Sequence, residues 1–459
     1  MQPQQMETSP EWASRQFGAC QLGDRRRTQR AVKIAAAMHA APGASIPQQM
    51  KSWKATKGAY RFFSDEAYQY ADLLQPHWAQ TRQVAGEHPV ILMVQDLTTL
   101  DYTPYQQQIQ GLGLIGDNRG QGFQMTTVLA LLPQPRQVLG IAYQQPFFRQ
   151  PHSPAETRTQ RAKRAKESDV WMQAVEAIGP SPEGVRWVHV GDRGADIYNF
   201  FDACRQQTCD FLVRICQNRR MLTPAGEVTY LKTFAAQLPA VGEQILSLPA
   251  RPGQPPREAL LRLAFSPLRL SAGWMNAKRP PLPVWVIRVW EVDPPDGVEE
   301  PIEWFLLTSV PTETLAQAWE RVGWYRCRWL VEDFHQCLKT GCQIEKRRLE
   351  EANSLLRLLA MLAPMAAELL RLREQTRLQP DVPAASQLPA DLIRVVTHLS
   401  EHSPEGMTLQ EFWRLVAQQG GYLGRKRDGP PGWKSLWRGW ISIQTLLRGY
   451  RLASDPGFL

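Results

Sequence analysis

From residue 89 the chain alternates between apolar runs and short polar turns. Pro89-Val-Ile-Leu-Met-Val94 is apolar throughout, the pattern of a strand covered on both faces, and it runs straight into Gln95-Asp96. Met125–Leu132 and Val138–Tyr143 read as further strands joined by a proline-containing turn. A helix ending near Ile178, a strand Val185–Val190 that runs into Gly191-Asp192, a helix over 195–207 and a strand Phe211–Ile215 follow. This β-β-β-α-β-α order predicts an α/β fold with a mixed sheet and helices packed on it. Residues 222–307 break the pattern with many prolines and strand-like runs (Val284–Trp290, Trp304–Thr308), and read as an inserted β subdomain. The chain is expected to be helical before residue 72, again over 313–376, and in short helices to the end.

Charge adds a partner class. The 459 residues carry a formal charge of +9, and the excess is uneven. Residues 1–72 hold 10 Lys/Arg against 6 Asp/Glu, and 421–459 hold 7 against 2. Asp24 is placed to cap a helix carrying Arg25, Arg26, Arg27, Arg30 and Lys33. Lys51, Lys54, Lys57 and Arg61 surround Trp53, Tyr60 and Phe62, and basic residues interleaved with aromatics suit a phosphate backbone. Another basic stretch holds Arg158, Arg161, Lys163, Arg164 and Lys166. Seven cysteines without a Cys-x-x-Cys argue against a disulfide scaffold or structural zinc site and fit a reducing cytoplasm. No secretory signal and no membrane span are expected.

The segment Trp324 to Lys339 carries the most chemistry. At about 100° per residue, one helix would bring Tyr325, Arg328, Glu332, His335 and Lys339 within roughly an 80° arc. Cys327, Leu330, Val331, Phe334, Cys337 and Leu338 would face a core. An ordinary amphipathic helix with intrahelical ion pairs gives the same pattern. Asp96 and Asp192, each expected at the carboxyl end of a strand, add two carboxylates. Three acids in one place could hold two Mg²⁺ ions about 3.5–4 Å apart, the arrangement that cleaves phosphodiesters.

Tyr325-x-x-Arg328-x-x-x-Glu332-x-x-x-x-x-x-Lys339 resembles the Tyr-Arg-Glu-Lys signature of bacterial insertion-sequence DDE transposases of the Tn-five group. Gln95-Asp96-Leu-Thr-Thr-Leu and Gly191-Asp192-Arg193-Gly-Ala-Asp-Ile look like the family's two aspartate segments. Leu22-Gly-Asp-Arg-Arg-Arg-Thr and Lys57-Gly-Ala-Tyr-Arg-Phe look like its N-terminal DNA-binding domain, and Pro431-Gly-Trp433-Lys434-x-Leu-Trp437-Arg438-Gly is similar to its C-terminal part.

The resemblance implies an RNase H-like catalytic core over 73–365, interrupted by the β subdomain at 222–307. A helical DNA-binding domain (1–72) would precede it and a helical dimerisation domain (366–459) follow. It implies Asp96, Asp192 and Glu332 as catalytic, metal-binding triad, with two Mg²⁺ ions for which Mn²⁺ substitutes. Trp304 would stack on a flipped base, and Tyr325, Arg328, Lys339 and Arg214 would hold phosphates. Arg193, His335, Arg348, Arg26, Arg27 and Arg30 are further DNA contacts on this reading. The implied partners are double-stranded DNA, both element-end inverted repeats and target, and a second copy, each subunit cutting the end bound by the other. The implied location is the bacterial cytoplasm, at the nucleoid when DNA-bound, with no membrane partner. Gln336 departs from the pattern, which has a basic residue there.

Other readings compete. Gly111-Leu-Gly113-Leu-Ile-Gly116 satisfies a dinucleotide-binding pattern, but turn residues follow it and no helix opens on it, so it reads as a flexible loop. Asp196 reads as a helix cap, and His398 and His402 lack the acidic partners of a zinc site. A structure-selective nuclease on the same core and a catalytically silent DNA-binding repressor or domesticated remnant are the functional alternatives.

Overall fold

The computed structural model describes residues 7–151, 156–157, 164–248, 256–271, 279–295, 298, 300–400, 403–425 and 428–454. Arg158, Arg161, Lys163 and His402 lie outside the described residues.

Five helices open the chain: Ser9–Phe17, Arg25–His39, Ile46–Met50, Trp53–Phe63 and Tyr70–Ala85. Asp24 caps the second, its Oδ1 accepting from the Arg26 amide at 2.8 Å. The fifth crosses the boundary expected at 72. Two buried arginines staple these helices to the rest of the chain. Arg357 donates to the carbonyls of Phe63 (2.9 Å) and Tyr68 (3.1 Å), and Arg347 donates to that of Pro42 (2.8 Å).

Strands β1 (Val90–Asp101), β3 (Gly120–Leu132), β4 (Gln137–Phe147), β5 (Arg186–Gly191) and β6 (Asp210–Arg214) form the core sheet in the order β4-β3-β1-β5-β6. β1, β5 and β6 run parallel, while β3 and β4 are antiparallel to their neighbours. Side chains alternate across the sheet. Ile91 and Met93 pack with Trp171 and Phe200 of the helices Asp169–Ile178 and Tyr198–Gln206. Leu92 and Val94 pack with Leu330 and Phe334 and with the long helix Ala352–Leu378. Burial on both faces explains the unbroken apolar run.

The segment 222–307 continues this sheet. β12 (Glu303–Thr308) pairs antiparallel with β6, β11 (Leu282–Glu291) with β12, and β10 (Arg257–Leu270) with β11. β7 (Arg220–Leu222), β8 (Val228–Tyr230) and β9 (Gly242–Leu248) complete twelve strands with β2 (Gly113–Ile115), which pairs with β3. The loop expected at 111–116 is therefore partly strand, because its backbone meets Gly120–Gly122 in register.

Three further expectations change. The segment 324–339 is not one helix: it divides into Leu315–Arg326, Trp329–Gln336 and a π turn, Cys337–Gly341. Asp96 is not at a strand end, because β1 continues to Asp101 against β3 after leaving β5 at Val94. Asp196 does not cap the helix Tyr198–Gln206, whose N-cap is Ile197. It is buried and accepts from the amides of Cys216 (2.9 Å) and Gln217 (2.8 Å) and from Arg219 (2.9 Å), tying the turn after Asp192 to the exit of β6.

Helices Ala390–Ser400, Leu409–Gln419 and Trp433–Ala453 end the chain, the last longer than the short helices expected. The aliphatic runs Leu355–Leu362 and Leu369–Leu372 are buried within the chain by the N-terminal helices, the sheet and these C-terminal helices. No described helix is long and apolar enough to cross a membrane.

Candidate active site

The parallel pairing of β1 with β5 builds the site. Val94 lies opposite Val190, and Asp96 and Asp192 each follow two residues later, so both project to the face carrying Leu92, Val94, Val188 and Val190. The helix Trp329–Gln336 lies on that face and brings Glu332. Asp192 Oδ1 accepts from the Gly194 amide at 2.7 Å, which orients the carboxylate at the head of a one-turn 3₁₀ helix.

Arg328 connects the acids. Its Nη1 donates to Asp96 Oδ2 at 3.0 Å and its Nη2 to Glu332 Oε1 at 2.6 Å. Burial, then the neighbouring charge of Asp192, pushes Asp96 up from 3.8 to about 7, with Glu332 adding to the rise and Arg328 opposing it. Three carboxylates from separate elements are the hard oxygen donors that Mg²⁺ or Mn²⁺ takes, and the crowded charge on Asp96 is what a cation relieves. The donor set therefore fits a divalent ion. Among the described residues no three acids close around one point, since Arg328 stands between Asp96 and Glu332.

Beside the acids lies an aromatic and cationic wall. Trp304, half-buried on β12, meets Tyr325 edge-on, with ring centroids 5.3 Å apart and planes at 68°. Arg214, at the end of β6, donates to the Glu303 carbonyl at 3.0 Å. Burial lowers the Arg214 pKa, and Arg193 lowers it further, so two cations share this corner. Burial also raises Tyr325, against the pull of Arg328 and Arg214. Lys339 is half-buried on the π turn.

His335 does not join this display. It is buried with Phe334 beside it, and burial lowers its pKa to about 3, so the ring is neutral. Tyr325 and Arg328 are buried too, although they were expected on the face opposite the core. Trp329 was not singled out in the sequence. It is 51% exposed, with the Arg328 guanidinium 4.8 Å from its ring. A tryptophan beside a charged motif was the available signal, but sixteen tryptophans dilute it.

Farther out, Arg348 is exposed and stacks on Tyr105 at 4.5 Å. Arg26 and Arg30 are exposed on the second helix. Arg27 is instead committed to Asp65 at 2.8 Å and to the Leu22 carbonyl, which closes the N-terminal helices on themselves.

Comparison with known proteins agrees with this architecture. Residues 9–68 match the model of the transposase DNA-binding domain, 158–366 that of the transposase DDE domain, and 365–456 that of the transposase Tn5 dimerisation domain. The chain belongs to the DDE transposases, and its core is RNase H-like. Within them it falls in the insertion-sequence group similar to Tn5. Asp192 and Glu332 lie inside the DDE match; Asp96 precedes it and is joined to them by geometry. Among solved structures, a piggyBac transposase synaptic complex with hairpin DNA matches at 9% identity and a TM-score of 0.33, over 78% of this chain and 57% of that one. The chain thus spans little more than half the length of that protein.

Proposed function

We propose that the chain is a cut-and-paste DNA transposase that binds inverted repeats at the ends of its element, cleaves them, through a hairpin intermediate, and joins the 3′ hydroxyls to target DNA. The observation that carries this reading is the register that sets Asp96 beside Asp192, together with the Arg328 guanidinium that links Asp96 to Glu332. Asp96, Asp192 and Glu332 would hold the divalent ions, two Mg²⁺ with Mn²⁺ substituting. When bound, the ions supply an activated water and charge stabilisation at the leaving oxygen.

The chain's own groups do the rest. Arg328, Arg214, Arg193 and Lys339 hold the phosphates on either side of the scissile bond. Trp304, braced edge-on by Tyr325, offers a face for a base drawn out of the duplex. Arg348 and the exposed arginines Arg26 and Arg30 hold more distant phosphates. A second copy joins through the C-terminal helices, each subunit cutting the end held by the other.

Glu332→Gln tests the assignment. End cleavage with Mg²⁺ is expected to vanish while end binding persists, and a variant that still cuts removes Glu332 from the triad. A wild-type chain that binds ends but never cuts is a silent DNA-binding protein. One that cuts but never joins is a nuclease.

A further inference from the structure

A groove of about 750 Å³ runs between the helix Arg25–His39 and the segment around Lys51–Ala59. Arg26, Arg30 and Lys33 line one wall, and Lys51 and Lys54 the other. The sixth cation, Arg448, comes from the C-terminal helix Trp433–Ala453, in the part of the chain matched by the dimerisation domain. No Asp or Glu lines the groove, and among the described residues none of the six forms an ion pair.

The place of Arg448 is built. Its Nη2 donates to the carbonyl of Ala40 at 3.3 Å, where the helix Arg25–His39 ends and its dipole favours a cation. Two turns earlier on the C-terminal helix, Ile441 packs on Gly43 so closely that a Cβ there would lie 2.5 Å from Ile441 Cδ1. The C-terminal helix is thus seated on the turn that closes the DNA-binding helices. The Ala40 bond uses one of the five N–H donors of a guanidinium. The others are available to the groove that the half-buried side chain lines.

We infer that Arg448 is a DNA phosphate contact, and that the groove holding the duplex is composite, made by the N-terminal helices and completed by the C-terminal helix. Six cations without counter-charges repel one another, and the regular phosphates of a DNA backbone are the polyanion that relieves them. The inference rests on the reading of the chain as a DNA-binding transposase. Its consequence is that the hold on DNA depends on where the C-terminal helix sits.

The test uses the full chain and a short labelled duplex of mixed sequence, with affinity measured across a range of salt. Arg448→Gln keeps a donor for Ala40 and removes the charge. It should bind roughly 3- to 10-fold more weakly, with a log–log salt slope shallower by about 0.9, the value of one phosphate contact. Arg448→Lys should restore most of both, and Arg448→Glu should be weaker than Arg448→Gln. Unchanged affinity and slope in Arg448→Gln would show a purely structural arginine, and tighter binding would show a helix that obstructs the groove; either overturns the inference. The double variant Arg30→Ala/Lys54→Ala separates the two levels. If it loses binding while Arg448→Gln does not, the DNA-binding reading stands and this inference fails. If the wild-type chain does not bind the duplex, the reading itself fails.

Discussion

Arg328 donates to Asp96 at 3.0 Å across 232 positions of sequence, and the same guanidinium reaches Glu332 one helical turn away. A single cation thus holds two of the three acids in place and offsets part of their repulsion. Removing it leaves those carboxylates facing each other and Asp192. Arg328→Ala is expected to destabilise the chain by about 1–3 kcal/mol. A denaturation midpoint unchanged from wild type in chelator would mean that the bridge does not hold the site.

Asp96 pushed to about 7 makes a signed prediction. The folded state holds a proton on Asp96 that the unfolded chain releases near 3.8. This group therefore favours folding below the unfolded value, and its contribution is lost as pH rises through about 7. Asp96→Asn removes the buried charge. In chelator at pH 8 it should be about 1–2 kcal/mol more stable than wild type, and the gain should fade below pH 7. A gain that grows on acidification contradicts the raised value. Cleavage should be lost in this variant at every pH.

His77 makes the opposite prediction. Its Nε2 accepts from the Ile141 amide at 3.1 Å, so Nδ1 carries the proton that faces Gln16 Oε1 at 2.7 Å. Burial, with a smaller push from Arg15, lowers its pKa from 6.5 to about 3. The neutral ring thus supports folding above 6.5, and that support is lost as pH falls towards 3. At pH 5 the loss is about 2 kcal/mol for a group shifted this far. His77→Gln should flatten the acid limb of a stability–pH curve, and an equally steep limb would place the acid sensitivity elsewhere.

Gly439 lies where the helices Leu409–Gln419 and Trp433–Ala453 touch. A Cβ there would sit 1.7 Å from the Val416 carbonyl oxygen, so Gly439→Ala forces the helices apart at a cost of about 3 kcal/mol. The Trp413–Trp440 ring contact, with centroids 5.2 Å apart, reports the movement by fluorescence. Unchanged tryptophan emission and stability would mean that the crossing adjusts freely. Because Arg448 is on the same helix, duplex binding should weaken in parallel.

Much of the core was legible because burial leaves a local mark. Ile91–Val94 reads as a two-sided strand since each face needs apolar cover, and β5 and β6 carry the same signature. The break after Arg326 left no such mark, because the apolar spacing of Cys327, Leu330, Val331 and Phe334 continues across it. The aliphatic run at Leu355–Leu372 was legible as apolar but not as covered. Composition cannot say which distant helix lies on top.

The sequence by itself determined the chemical inventory: two acids following apolar strands, a third on a helix with basic neighbours, and cations gathered at both ends of the chain. Only the tertiary structure decided which of them meet. The register of β1 on β5 aligns Asp96 with Asp192, the packing of the helix Trp329–Gln336 against β1 brings Arg328 to Asp96, and the docking of the last helix carries Arg448 to the N-terminal groove. Local sequence patterns reflect burial and backbone preference. Contacts between residues hundreds of positions apart depend on how whole elements pack, and no spacing along the chain encodes that.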